Sequence, residues 1–121
     1  MKIKDTISFE KFMELSKQLD IRIGHIADAE RIPKSYGIKL TVNFSFTDED
    51  GNISIITKTA FTNLGKTHEP KDLMGINCPF IMNLEPSVIK GVKSEVMIMV
   101  GEYDNTLEIN PADYSHGTKL M

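Results

Sequence analysis

The chain has 121 residues, 40% of them hydrophobic and 26% charged, with a formal net charge of −3. That is one domain's length with an ordinary globular composition. No run of 18 apolar residues offers a transmembrane helix, and the opening MKIKDTISFEKF lacks a signal peptide's apolar stretch, so a cytoplasmic protein without membrane insertion is expected. Cys78 is the only cysteine, which excludes an internal disulfide. An acidic balance argues against holding nucleic acid by bulk attraction, so any such affinity needs a local patch.

Residues 8 to 18 read as an amphipathic helix, with Phe9, Phe12, Met13 and Leu15 on one face and Ser8 as N-cap. The helix is too short to stand without a packing partner. Leu19 to Ile32 reads as the first strand, with Gly24 expected to mark a bulge or bend. Ile32 to Gly37 forms a loop. Ile38, Leu40, Val42, Phe44 and Phe46 then alternate with polar residues, which predicts a strand with one face in the core. Asp50-Gly51 suits the turn into a third strand, Ile53 to Thr59. Ala60 to Gly75 is irregular apart from one helical turn beginning at Pro70.

Asn77 to Leu84 and Ser94 to Gly101 read as strands four and five. Between them, Glu85 to Lys93 contains Pro86, which cannot donate to a ladder, and Gly91, which can take the positive φ of a tight return. Leu107 to Ile109 and Gly117 to Met121 offer short strand or turn segments. The expected fold is all-β: a five-stranded Greek-key OB-fold barrel in a single domain, 1–121. An N-terminal helical extension (1–18) and a C-terminal extension (102–121) carry apolar residues that a minimal barrel does not need. They are expected to form a dimer interface.

Several segments resemble the tRNA-binding domains found appended to methionyl-tRNA synthetases, in the cytokine-like endothelial-monocyte-activating polypeptide, and free-standing in bacteria and archaea. Leu19-Asp20-Ile21-Arg22-Ile23-Gly24-His25-Ile26 is similar to their "LDIRVGKI". Glu69-Pro70-Lys71-Asp72-Leu73-Met74-Gly75 is similar to "KPEELVGK". Asn83-Leu84-Glu85-Pro86, Ile89 to Glu95 and Met97 are similar to "NLKPRKLRGVESQGM", and Gly117-Thr118-Lys119 to the closing "PGTKI". Ile38-Lys39-Leu40 and Lys93-Ser94-Glu95-Val96 resemble the CsaA branch, described as a dimeric secretion-related chaperone. Three places depart from the family pattern. Ser87-Val88 stand for an arginine and a lysine, Val96 stands for a glycine, and Ile32-Pro33-Lys34-Ser35-Tyr36-Gly37-Ile38 replaces the "HPNADKL" loop.

The resemblance implies a homodimeric binding module without catalysis or cofactor. For tRNA or a similar structured RNA, Arg22, Lys39, Lys58, Lys90 and Lys93 are the candidate phosphate contacts. Asn83 and Ser94 are candidates for base or sugar edges, and Met97 for an exposed base. The alternative is a CsaA-like chaperone that holds unfolded or export-bound polypeptides on Val88, Ile89, Met97 and Met99, an apolar surface suited to promiscuous partners. Met97 and Met99 alternate with Val96, Ile98 and Val100, so one set faces the core. His25, His68 and His116 show no metal-ligand spacing, so no metal site is expected. No nucleophile or phosphate-loop motif points to an enzyme.

Overall fold

The computed structural model describes residues 2–120. Its centre is an antiparallel sheet in the order β3-β2-β1-β4-β7. The strands are β1 (Ile21–Arg31), β2 (Ile38–Thr47), β3 (Ile53–Thr62), β4 (Asn77–Ile81) and β7 (Met97–Ile98). The expected alternation holds on β2. Ile38, Leu40, Val42 and Phe44 are all fully buried, and they share one core with Ile26, Phe80, Val96 and Ile98. Phe44 and Phe80 meet edge to face, with ring centroids 5.6 Å apart.

The sheet curls until β3 approaches β7, but no continuous ladder joins them. Side chains do part of the closing. Glu95 N–H donates to the Thr59 carbonyl at 2.8 Å, and Thr59 N–H donates to Glu95 Oε1 at 3.1 Å. Phe61 N–H donates to Ser94 Oγ at 3.1 Å. A 3-10 turn (Leu64–Lys66) and α2 (Pro70–Leu73) follow β3, and they bury Leu64 and Leu73 in the core. Glu69 and Asp72 cap α2 reciprocally.

Four expectations need adjustment. The bulge in β1 falls between Ile26 and Asp28, not at Gly24. Gly24 serves a close approach instead, because a Cβ there would stand 2.5 Å from Val42 Cγ1 and 2.7 Å from the Phe44 ring. The connection Glu85 to Lys93, together with Ser94 at the start of the expected fifth strand, contains a separate hairpin, β5 (Ser87–Ile89) with β6 (Val92–Ser94). The fifth strand shortens to β7. Lastly, α1 (Phe9–Ser16) is capped by Ser8 as expected, yet it buries none of its residues, and Phe9 is 77% exposed.

The C-terminal segment forms the hairpin β8 (Gly101–Tyr103) and β9 (Thr106–Glu108), then returns to β1 as β10 (Lys119–Leu120). Gly117 fixes this return. It has φ +94° and lies so close to β2 that a Cβ would stand 1.9 Å from the Ser45 carbonyl oxygen. Among the described residues, no helix is long and apolar enough to cross a membrane.

Candidate nucleic-acid interface

The β5–β6 hairpin turns at Lys90 and Gly91, with φ of 48° and 82°. Positive φ at both central residues is the two-residue turn whose twist suits a hairpin. Such turns favour Asn or Asp before Gly. The β8–β9 hairpin uses Asp104 and Asn105 at its two positive-φ positions, residues that tolerate this conformation, but here a lysine accepts it. Lys90 Nζ then reaches back and donates to Ser35 Oγ, 3.1 Å away, in the loop between β1 and β2. That one contact joins the β1–β2 loop to the β5–β6 hairpin.

Between this hairpin and the outer face of β2–β3 lies a shallow depression of about 300 Å³. Lys39, Thr59, Gly91, Val92, Lys93 and Glu95 line it. Lys39, Lys90 and Lys93 are exposed and enter no ion pair among the described residues. Glu30, opposite Lys39 across β1–β2, is the carboxylate placed to moderate this field. Lys58 differs from the other three. It sits 3.7 Å from Glu95 Oε2, so its charge is already matched at the closure of the sheet. Ser94 is half-buried in the same closure, accepting from Phe61 N–H and donating to the Val96 carbonyl at 3.2 Å.

Arg22 and Asn83 lie elsewhere. Arg22 is near the start of β1, eight residues from the Glu30–Lys39 pair, or roughly 25 Å along the strand. Its Nε donates to Asp20 Oδ1 at 3.0 Å, and its guanidinium stands 5.1 Å from the Phe46 ring centroid. Asn83 uses both ends of its amide on the backbone. Its Oδ1 accepts from Asp20 N–H at 2.9 Å, and its Nδ2 donates to the Gln18 carbonyl. This ties the end of the α1 segment to the chain beyond β4.

The apolar candidates divide as well. Val88 pairs with Lys93 and Ile89 with Val92, so Val88 and Ile89 face opposite sides of the hairpin. Val88 is 73% exposed, whereas Ile89 lies on the side of the buried Val92. On and after β7, Val96 and Ile98 enter the core, while Met97 is 47% exposed and Met99 is half-buried. The predicted alternation therefore holds.

The sequence reading passed over two residues of this region. Tyr36 is 60% exposed in the β1–β2 loop, and Lys66 Nζ lies 5.8 Å from its ring centroid. A lone aromatic between Lys34-Ser35 and Gly37 was the available signal. Lys66 could not be associated with it, because 30 residues separate them in the chain. Cys78 is buried in β4, where burial pushes its thiol up to about 12. A thiol held neutral in this way is poorly suited to nucleophilic chemistry.

A family model described as "Putative tRNA binding domain" matches residues 21–119. The methionine–tRNA ligase of Porphyromonas gingivalis is 33% identical over 100 residues, an alignment covering 83% of this chain and 13% of the ligase. The chain thus corresponds to a small part of such relatives. Among solved structures, a MetRS-related protein from Pyrococcus horikoshii has the same fold, with a TM-score of 0.77 at 21% identity, covering 98% of this chain and all of that one. Chaperone CsaA from Bacillus anthracis superposes with a TM-score of 0.72 at 28% identity, over 97% of this chain and all of that one. The curled sheet, the matched residues 21–119 and these likenesses together establish that the chain belongs to the tRNA-binding-domain family.

Proposed function

We propose that this protein is a non-catalytic binding module that holds tRNA or a similarly structured RNA on the face between β2–β3 and the β5–β6 hairpin. The observation that carries the reading is that Lys39 and Lys93 line one depression and Lys90 stands at the adjacent hairpin turn, all three exposed and without an ion pair among the described residues, on a chain of net charge −3. Membership of the tRNA-binding-domain family supports RNA as the occupant. If these three lysines displace counterions, affinity falls roughly 20- to 40-fold between 50 and 200 mM salt. Titration of labelled tRNA at those two concentrations tests this. Absence of saturable binding at low salt, or binding indifferent to salt, refutes it.

The module works as a homodimer in this reading. The support is the unburied apolar face of α1, where Phe9, Phe12 and Leu15 are all exposed. A specific interface over such a face covers at least about 1,000 Å². Sedimentation showing only monomer at micromolar concentration refutes this part.

A second reading is a chaperone for unfolded or export-bound polypeptides. Its support is the exposure of Met97 and Val88 together with the likeness to a CsaA chaperone structure. Met97→Lys and Met99→Lys should then weaken suppression of aggregation of a denatured client. Unchanged suppression in both variants counts against that surface.

A further inference from the structure

We propose that Tyr36 is a stacking platform for one unpaired nucleotide of the bound RNA, with Lys66 and Lys90 placed for the phosphates that flank it. This rests on the RNA-binding reading above and adds a position that the depression alone does not contain. The ring is open to solvent while its backbone is held firmly. Ile32 N–H donates to the Gly37 carbonyl at 2.9 Å, closing the loop, and Gly37 N–H donates to Ser35 Oγ at 2.8 Å. Behind the loop, Gly65 packs so tightly that a Cβ would lie 2.2 Å from the Tyr36 carbonyl oxygen. Arg31 locks that support by donating to the Gly65 carbonyl at 3.2 Å and to Glu69 Oε2 at 3.4 Å. An aromatic ring on a fixed backbone binds a base at small entropic cost.

The surroundings are those a nucleotide needs. Lys66 Nζ stands 5.8 Å from the ring centroid, and Lys90 Nζ touches the neighbouring Ser35 hydroxyl at 3.1 Å. Lys34, with φ 61°, precedes them in the same loop. None of these three lysines enters an ion pair among the described residues, whereas Arg31, beneath them, is neutralised by Glu69. A single exposed tyrosine is unremarked on most surfaces. One with Lys66 over one face of its ring and Lys34 and Lys90 in or against the same loop, its other face left to a base, matches the pairing of π-face and phosphate contact by which single-stranded nucleic acid is held. The chemical class is therefore an unpaired nucleotide, from a loop or an end, and not a duplex, whose bases are already stacked.

The chain contains no tryptophan, so Tyr36→Trp introduces a single indole reporter. Unfractionated tRNA is titrated against the parent, Tyr36→Phe, Tyr36→Ala and Tyr36→Trp, with filter binding and indole emission read in parallel. The expected result has three parts. Tyr36→Phe and Tyr36→Trp bind within about twofold of the parent, and Tyr36→Ala binds roughly tenfold more weakly, the loss of one base–aromatic stack. The indole emission is quenched in step with binding. The Tyr36→Ala salt slope equals the parent's, because stacking displaces no counterion, whereas Lys66→Ala lowers that slope by about 0.7 to 0.9. Parent-like affinity of Tyr36→Ala with an unquenched indole overturns this proposal and leaves RNA binding intact. Failure of the parent to bind tRNA at low salt overturns both.

Discussion

Two regions of the molecule offer the same kinds of side chain and use them differently. At the start of β1, Arg22 and Asn83 are committed to the chain itself: Arg22 to Asp20 and the Phe46 ring, Asn83 to the backbone at Gln18 and Asp20. Around the β5–β6 hairpin, Lys39 and Lys93 line a depression and Lys90 reaches to Ser35 beside it, none of them in an ion pair among the described residues. A cation or an amide selected by sequence pattern is only a candidate. Whether its hydrogen-bonding capacity is already spent separates the residue that builds the fold from the residue left over for a ligand. The first region should therefore respond to mutation in stability, the second in affinity and salt dependence.

The largest expected effect is on the stability side. Gly117→Ala forces a Cβ against the Ser45 carbonyl at a φ that side chains rarely adopt, and should cost about 3 kcal/mol in urea denaturation. An unchanged denaturation midpoint would mean that the C-terminal return does not hold the sheet. Next, Asn83→Ala removes two solvent-accessible hydrogen bonds, to the Asp20 N–H and the Gln18 carbonyl, and should cost about 1 kcal/mol. RNA affinity of the folded variant should stay within about twofold of the parent. A large affinity loss without destabilisation would move Asn83 to the other side of the comparison.

Lys39→Ala and Lys93→Ala should give the mirror image. Each lowers the salt slope of tRNA binding by about 0.7 to 0.9, with stability changed by less than about 0.5 kcal/mol. Lys90→Asn sharpens the contrast within one residue. Asparagine before glycine suits the turn better than lysine, so a gain of a few tenths of a kcal/mol is expected, ~0.3, alongside weaker binding. The smallest effect concerns Cys78, in the core between the two regions. Its thiol should resist alkylation at pH 8 in the native state and react in urea. Because burial raises it from 9.0 to about 12, the unfolded chain ionises first, and stability should fall as pH rises through that interval. Rapid native-state alkylation would show that β4 opens locally.

The parts of the fold legible in sequence were those written in local pattern. The apolar alternation of Ile38 to Phe46 gave β2 and its inward face, Pro70 gave the start of α2, and Gly91 gave the tight return. The parts that were not legible depend on distant partners. Gly24 looks like a strand-breaker until Val42 and Phe44 are placed across from it. Asn83 reads as a free surface amide until Asp20, 63 residues earlier in the chain, is brought beside it to donate its N–H. The helical spacing of Phe9, Phe12 and Leu15 correctly gave a helix but could not say what covers it, since nothing within the described chain does. Of the site, the lysines around Gly91 were visible because they share a short segment. Tyr36 did not stand out, because its neighbours Lys66 and Lys90 arrive from two other loops.

The β5–β6 hairpin pairs only with itself, in a register set by its own two-residue turn, and it sits between β4 and β7 without contributing a rung to the central sheet. It therefore behaves as a cassette. Its exposed strand residues, Ser87, Val88, Ile89 and Lys93, can change in charge or apolar character while Val92 stays buried and the ladder Phe80–Ile98 beside it stays in register. Grafting this segment from one relative to another should carry ligand preference with it, provided that Ser94 and Glu95, which seal the sheet to β3, remain in place.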